Sequence, residues 1–311
     1  MKNRLLLTPI LAWGLVLACP TLFTAAMAVP RECAVVGVGV LGSSLCQQLL
    51  DNDWKVIGIT KTTNRHDDIM KQVGGDHGGK FSLELADDNL DKKYPYCVFC
   101  APPSGFDDYP AAVEDAMTKL WDQESGGVFV FTSSGGIYGP GDSSGISTVN
   151  ESSPLPDPSD NPRSARLMGA EDKVRAGGGT ILRLAGLYTL DRGAHNFWMG
   201  KEEVGGRADG IINLLHYDDA AGSVVAALQV EDPTTIKGQT YLVSDGQPLT
   251  RQQICESTIK SDKYSGMKIP KFTGQDSDPM GKIYDGSATE SALNWRPRYP
   301  SFDEFMAASK K

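Results

Sequence analysis

Three consecutive hydroxyls, two glycines and a tyrosine end an apolar run in the segment Phe131-Thr132-Ser133-Ser134-Gly135-Gly136-Ile137-Tyr138-Gly139. A plain turn needs one or two such residues, whereas a place where backbone and hydroxyls meet a small molecule needs several. A second constellation, Gly37-Val38-Gly39-Val40-Leu41-Gly42, follows the apolar run Cys33–Val36 and precedes a helical pattern. That is the context a dinucleotide fingerprint requires. Gly37 permits the tight turn, Gly39 lets the backbone approach a pyrophosphate, and Gly42 lets helix pack on strand. Val40 and Leu41 open the helix, whose first amides and dipole suit a phosphate. The alternative is a tight strand–helix turn that binds nothing.

The end of the next strand bears on the cofactor. An NAD binder usually places an acid there for the ribose 2′-hydroxyl. Here the chain reads Thr60-Lys61-Thr62-Thr63-Asn64-Arg65. Two cations and several hydroxyls without an acid suit a 2′-phosphate, and so NADP(H). Otherwise this is a solvated turn, with Asp67 and Asp68 helping to cap the following helix.

Elements that could position these groups alternate along the chain. "CAVVGVG", "WKVIGIT", "YPYCVFCAPP", "GGVFVFTSS" and "GTILRLAG" read as buried strands. "SSLCQQLLDND", "PAAVEDAMTKLWDQ" and "ARLMGAEDKVRA" read as helices between them. Apolar strands alternating with amphipathic helices predict an α/β fold, a doubly wound parallel (Rossmann) sheet covered on both faces. Beyond residue 190 the pattern loosens. A helix is expected in "NLLHYDDAAGSVVAALQ", entered through Asp218–Asp219. A strand follows in "GQTYLVSDG", then a Thr-capped helix in "TRQQICESTI" and two short helices divided by prolines. The expected organisation is a Rossmann domain over residues 29–190 and a smaller C-terminal substrate lobe over 191–311, interleaved with it.

The 311-residue chain carries a net charge of −9 and no Lys/Arg block, which argues against non-specific binding to nucleic acid or anionic membrane. Its start, with basic Lys2 and Arg4, an apolar stretch and Ala26-Met27-Ala28, resembles a cleavable signal over residues 1–28. A retained anchor or a lipobox ending at Cys19 are the alternatives. Cleavage takes away two positive charges, from −9 to −11, and leaves no stable membrane association. The destination is then secreted or plastid. Five scattered cysteines would remain, Cys33, Cys46, Cys97, Cys100 and Cys255, which is not a disulfide framework. Cys97 and Cys100 have CxxC spacing but lie in a strand, where i and i+3 face opposite ways, so two core thiols are expected and no metal site.

In order and spacing, "VVGVGVLG", "FTSSGGIYG", "ESSPLPD", "GAED", "ILRLAGLY", "LLHYDDAAGSVVAAL" and "YLVSDGQPLT" resemble the extended short-chain dehydrogenase/reductases. These are the epimerase/dehydratase-like proteins, and the glycine spacing and the Lys/Arg after the second strand look closer to their atypical branch. The resemblance runs from Cys33 to the end. It implies that Ser134 bonds a substrate carbonyl or hydroxyl, that Thr132 and Ser133 line the nicotinamide side, and that Ala101, Pro102 and Pro103 pack under the cofactor. Arg183 reads as structural, and His216 as a capping or core residue more than a cleft residue. One departure stands out. The family's Tyr-x-x-x-Lys relay falls, counting back from Glu171, on Arg163 and Leu167, and neither can move a proton or lower a tyrosine pKa. The literal match Tyr264…Lys268 is too far along the chain to serve. Two functions therefore stand side by side. One is an NADP(H)-dependent oxidoreductase or epimerase acting on a carbonyl or sugar-nucleotide-type small molecule, with Tyr138, a water or the substrate handling the proton. The other is a silent nucleotide-binding sensor or scaffold. Either allows a homodimer.

Overall fold

Strands buried on both faces, their alternate residues entering opposite apolar layers, decide the architecture. A computed structural model describes residues 29–73, 75, 77–87 and 92–310; the expected targeting segment lies outside them. Seven strands form the central sheet: β1 (Glu32–Val36), β2 (Lys55–Thr60), β3 (Phe81–Leu85), β4 (Tyr96–Phe99), β5 (Phe129–Ser134), β6 (Thr180–Leu184) and β7 (Thr240–Val243). They are parallel throughout, in the order β7-β6-β5-β4-β1-β2-β3. Cys33, Val35, Val98 and Val130 enter one apolar layer, while Ala34, Phe99, Phe129 and Phe131 enter the other. Helices α1 (Val40–Asp51), α2 (His66–Val73) and, from late in the chain, α6 (Tyr217–Leu228) cover the first face. Helices α3 (Tyr109–Leu120) and α4 (Pro162–Ala176) cover the second. This is a doubly wound Rossmann sheet. The order reverses beside β1, so a crevice opens between the carboxyl ends of β1 and β4.

The sequence pattern does not show β3. Its residues Phe81-Ser-Leu-Glu-Leu85 are mostly half-exposed, because an edge strand needs less apolar cover than its neighbours. Helix α6 is entered one step earlier than expected. His216 caps it, accepting the Asp218 amide at 3.1 Å, and a short strand, Leu214–His216, pairs with Gly186–Tyr188 just before it. Ser44 Oγ donates to Asp218 Oδ1 at 2.7 Å and Gln48 Nε2 to the Asp218 carbonyl at 2.8 Å, so α1 and α6 are also tied by polar contacts.

The remaining chain folds over the carboxyl end of β5 and β6. Its helices are α5 (Ala194–Met199), α7 (Arg251–Thr258), α8 (Ser287–Leu293) and α9 (Phe302–Ala308). Helices α5, α7 and α9 share a third core around Tyr188, Trp198, Ile254, Tyr264 and Phe302, while α8 packs its Leu293 into the first layer. Thr250 caps α7 in a reciprocal box with Gln253, as the sequence leads one to expect. Among the described residues, no helix is long and apolar enough to cross a membrane.

Candidate active site

The glycine-rich turn is built by what each glycine excludes. Gly37 sits at φ +96°, and a Cβ there would lie 2.5 Å from the Ala101 amide nitrogen. A Cβ on Gly42 would lie 2.2 Å from the Gly37 carbonyl oxygen. Both positions admit only glycine. Gly39 differs, since a Cβ there would meet nothing within 4 Å. It faces open space at the start of α1, a helix with no side-chain cap. Val40 beside it is 39% exposed, an apolar surface that a ligand would cover. Unpaired first-turn amides, a bare backbone and open space in front of them fit a pyrophosphate.

The loop after β4 forms the other wall. Cys100 donates to the Gly37 carbonyl at 3.2 Å, and Tyr109 donates to the Ala101 carbonyl at 2.9 Å. Arg166 of α4 reaches the Pro103 carbonyl at 3.1 Å and also the Phe106 carbonyl. From the opposite side, Lys61 Nζ donates to the Gly105 carbonyl at 3.0 Å. Ala101, Pro102 and Pro103 are thus held at the crevice, although Pro102 projects to solvent. Thr60 Oγ1 is engaged by His66 Nε2 at 2.6 Å and by the Thr62 carbonyl at 3.1 Å. Thr62 and Arg65 are exposed at the same end of β2, with no side-chain partner for Arg65 among the described residues. Cys97 and Cys100 do face opposite layers, but Cys100 is half-buried under the glycine turn rather than a fully buried core thiol. Burial pushes its thiol up to about 12, so it is not a reactive thiolate. Among the described residues no cluster could hold a metal ion.

The opening hydroxyls part company. Thr132 and Ser134 are half-buried and share one side of β5, while Ser133 is buried on the other and donates to Glu171 at 2.7 Å. That corrects the expectation that Ser133 lines the nicotinamide side. Glu171 also takes a forked contact from Arg183, with Nη2 at 2.6 Å and Nε at 3.0 Å. Burial pulls the Arg183 guanidinium down, but its bonds to Glu171 more than offset this and leave it above its ordinary value. Arg183 Nη1 in turn donates to the Tyr138 hydroxyl at 2.8 Å, and that hydroxyl donates to the Asn150 carbonyl at 2.8 Å. Tyr138 is 1% exposed, with both hydrogen-bonding directions occupied. This geometry takes Tyr138 out of the proton relay and makes it part of a buried strut. Glu171→Ala, which strands Arg183, should cost about 3–5 kcal/mol in urea unfolding. A loss of about 1 kcal/mol or less, as for exposed pairs, would contradict the strut.

Ser134 opens on a cleft of about 570 Å³ beyond the ends of β5 and β6. Its Oγ accepts the Gly136 amide at 3.1 Å, leaving its own proton free to donate outward. The far wall comes from the C-terminal lobe: Asn213, Arg251, Asp278, Lys282 and Tyr284. None of these five carries a sequence motif. Arg251 makes no ion pair among the described residues, its guanidinium drawn below its ordinary value by burial, with Asp278 opposing. The acid most raised, Asp245, is pushed by burial up to about 7, but it does not line this cleft.

No family model matches the sequence. Over 285 residues the chain is 28% identical to Protein YeeZ of Escherichia coli (strain K12), covering 87% of this chain and 97% of the relative. UDP-glucuronic acid 4-epimerase from Bacillus cereus, in complex with NAD, superposes with a TM-score of 0.69 at 18% identity, over 89% of this chain and 96% of that one. dTDP-glucose 4,6-dehydratase from Bacillus anthracis, also in complex with NAD, gives 0.65 at 15% identity, over 90% and 95%. The chain has the epimerase/dehydratase fold. On this epimerase/dehydratase fold the two helix positions that the resemblance assigns to Tyr and Lys offer no relay. Arg163 is exposed in the first turn of α4, and Leu167 is buried in the apolar layer that holds Phe99, Tyr109 and Phe131. Tyr264 donates to Asn196 Oδ1 at 2.7 Å within the third core, so the literal Tyr-x-x-x-Lys is structural. His216 lies tilted against the Tyr299 ring, with centroids 4.2 Å apart, and is likewise a core and capping residue.

Proposed function

We propose that this protein is an NADP(H)-dependent oxidoreductase or epimerase acting at a carbonyl or hydroxyl carbon of a small anionic molecule. The observation that carries this is the open face at Gly39, in a turn whose other two glycines are locked, on the same carboxyl edge of the sheet as a cleft lined by Ser134. Gly37, Gly39, Gly42 and the first amides of α1 would hold the pyrophosphate. Ala101 to Pro103 and Thr132 would flank the cofactor, and Lys61, Thr62 and Arg65 would meet the adenosine ribose and its phosphate. When bound, the nicotinamide supplies or accepts hydride. Ser134 then orients the substrate oxygen and stabilises the charge that develops on it. Arg251 and Lys282 give the cleft two cations against the single carboxylate of Asp278, which suits an anionic substrate. The sugar-nucleotide names of the structural neighbours are consistent with that class.

Cofactor choice supplies the test. NADPH should bind at least about tenfold more tightly than NADH, about 1.4 kcal/mol, by calorimetry. Lys61→Ala with Arg65→Ala should erase most of the gap. Equal affinities in the unaltered protein would sink the assignment. The second reading, a nucleotide-binding sensor or scaffold, is favoured by one observation: α4 presents neither a tyrosine nor a lysine to the crevice.

A further inference from the structure

The cleft holds the two residue types that α4 lacks, a lysine and a tyrosine, and they come from a different part of the chain. The short strand Lys282–Tyr284 pairs in parallel with Ser147–Val149. On a strand, residues i and i+2 share a face, as i and i+4 do on a helix. Lys282-Ile283-Tyr284 therefore presents an ammonium and a phenol to one side of the strand. Both line the cleft with Ser134.

Their placement is fixed from several directions. The Tyr284 ring rests on the backbone beside Ser134: a Cβ on Gly135 would lie 2.4 Å from Tyr284 Cε2 and 3.0 Å from its hydroxyl oxygen. Glycine at 135 is what lets the phenol approach. Lys282 Nζ donates to the Tyr138 carbonyl, on the same turn. Asn213, itself in the cleft wall, clamps the strand by donating to the Lys282 carbonyl at 2.6 Å and accepting the Tyr284 amide at 2.9 Å. The Tyr284 hydroxyl has no hydrogen-bond partner among the described residues, in contrast to the doubly bonded hydroxyl of Tyr138. Burial, with a smaller push from Tyr138, raises the Tyr284 phenol to about 12, so at neutral pH it carries its proton.

We propose that Tyr284 is the catalytic proton donor and acceptor of the Ser134 site, with Lys282 as a cation on the same wall of the cleft. The inference rests on the function proposed above, which provides the reduced nicotinamide dinucleotide as hydride source. In the reducing direction, hydride bonds to the carbonyl carbon and the C=O π pair moves onto oxygen. The Tyr284 O–H bond breaks, and its proton forms the O–H bond of the alcohol. The tyrosinate left behind regains a proton from water. Oxidation runs the same steps backwards.

An oxyanion surrogate tests this without turnover. 4-Nitrophenolate, titrated into the cofactor-free protein, should show a shifted absorbance when its oxygen is held by Ser134 and Tyr284. Tyr284→Phe keeps the ring on Gly135 and should weaken binding at least about tenfold while removing most of the shift. NADPH affinity and melting temperature should stay near wild type. A wild-type protein that leaves the phenolate spectrum unchanged, or a Tyr284→Phe variant that perturbs it equally, overturns the proposal. Either result with normal NADPH binding removes Tyr284 alone, whereas loss of NADPH binding in the wild type removes the function on which it rests.

Discussion

Gly39→Val should leave the protein folded and abolish dinucleotide binding, weakening NADPH affinity by at least about a hundredfold, or about 2.7 kcal/mol. The position has φ −88°, and a Cβ there meets nothing of the protein within 4 Å. It occupies only the space in front of the α1 amides. Gly37→Val supplies the contrast. That residue is in the left-handed region, with the Ala101 backbone 2.5 Å from a Cβ, so the change should destabilise the protein itself. Thermal melts beside NADPH fluorescence titrations separate the two. A Gly39→Val protein that binds as wild type would show the open face to be an ordinary turn.

Ser134→Ala should lower turnover by roughly 10²–10³ and leave NADPH affinity nearly unchanged. The serine hydroxyl lines the cleft with its proton free to donate, and its loss removes a bond that strengthens as negative charge gathers on the substrate oxygen. The change also frees the Gly136 amide that Ser134 Oγ caps, at a cost of about 1 kcal/mol in stability. That cost is read independently by urea unfolding. In a sensor or scaffold the same substitution leaves the biological readout intact while Gly39→Val destroys it. A wild-type rate that Ser134→Ala does not touch would refute the role given to this serine.

The parts of the site that were legible in the sequence are those made by local backbone. Gly37, Gly39 and Gly42 are a fingerprint because one turn needs all three within six residues, so spacing alone reveals them. The alternating layers of β1, β4 and β5 were legible for a similar reason, since both sheet faces are buried and the strands are apolar throughout. β3 escaped because an edge strand tolerates Ser82 and Glu84. Ser133 was misassigned because adjacent hydroxyls look alike in sequence but point to opposite faces of a strand. Tyr138 looked available for chemistry because its partners, Arg183 and the Asn150 carbonyl, come from distant segments. The far wall of the cleft was invisible for the same reason. Lys282 and Tyr284 meet Ser134 only through tertiary folding, and their spacing fits no motif written for a helix.

The central claim, that the Gly37–Gly42 turn holds a nicotinamide dinucleotide, is tested most directly by titrating NADPH into the wild-type protein in a calorimeter. One saturable site per chain is the predicted result, with NADH binding more weakly at the same site. Absence of binding heat with both dinucleotides, in protein shown to be folded by a cooperative melt, would contradict it.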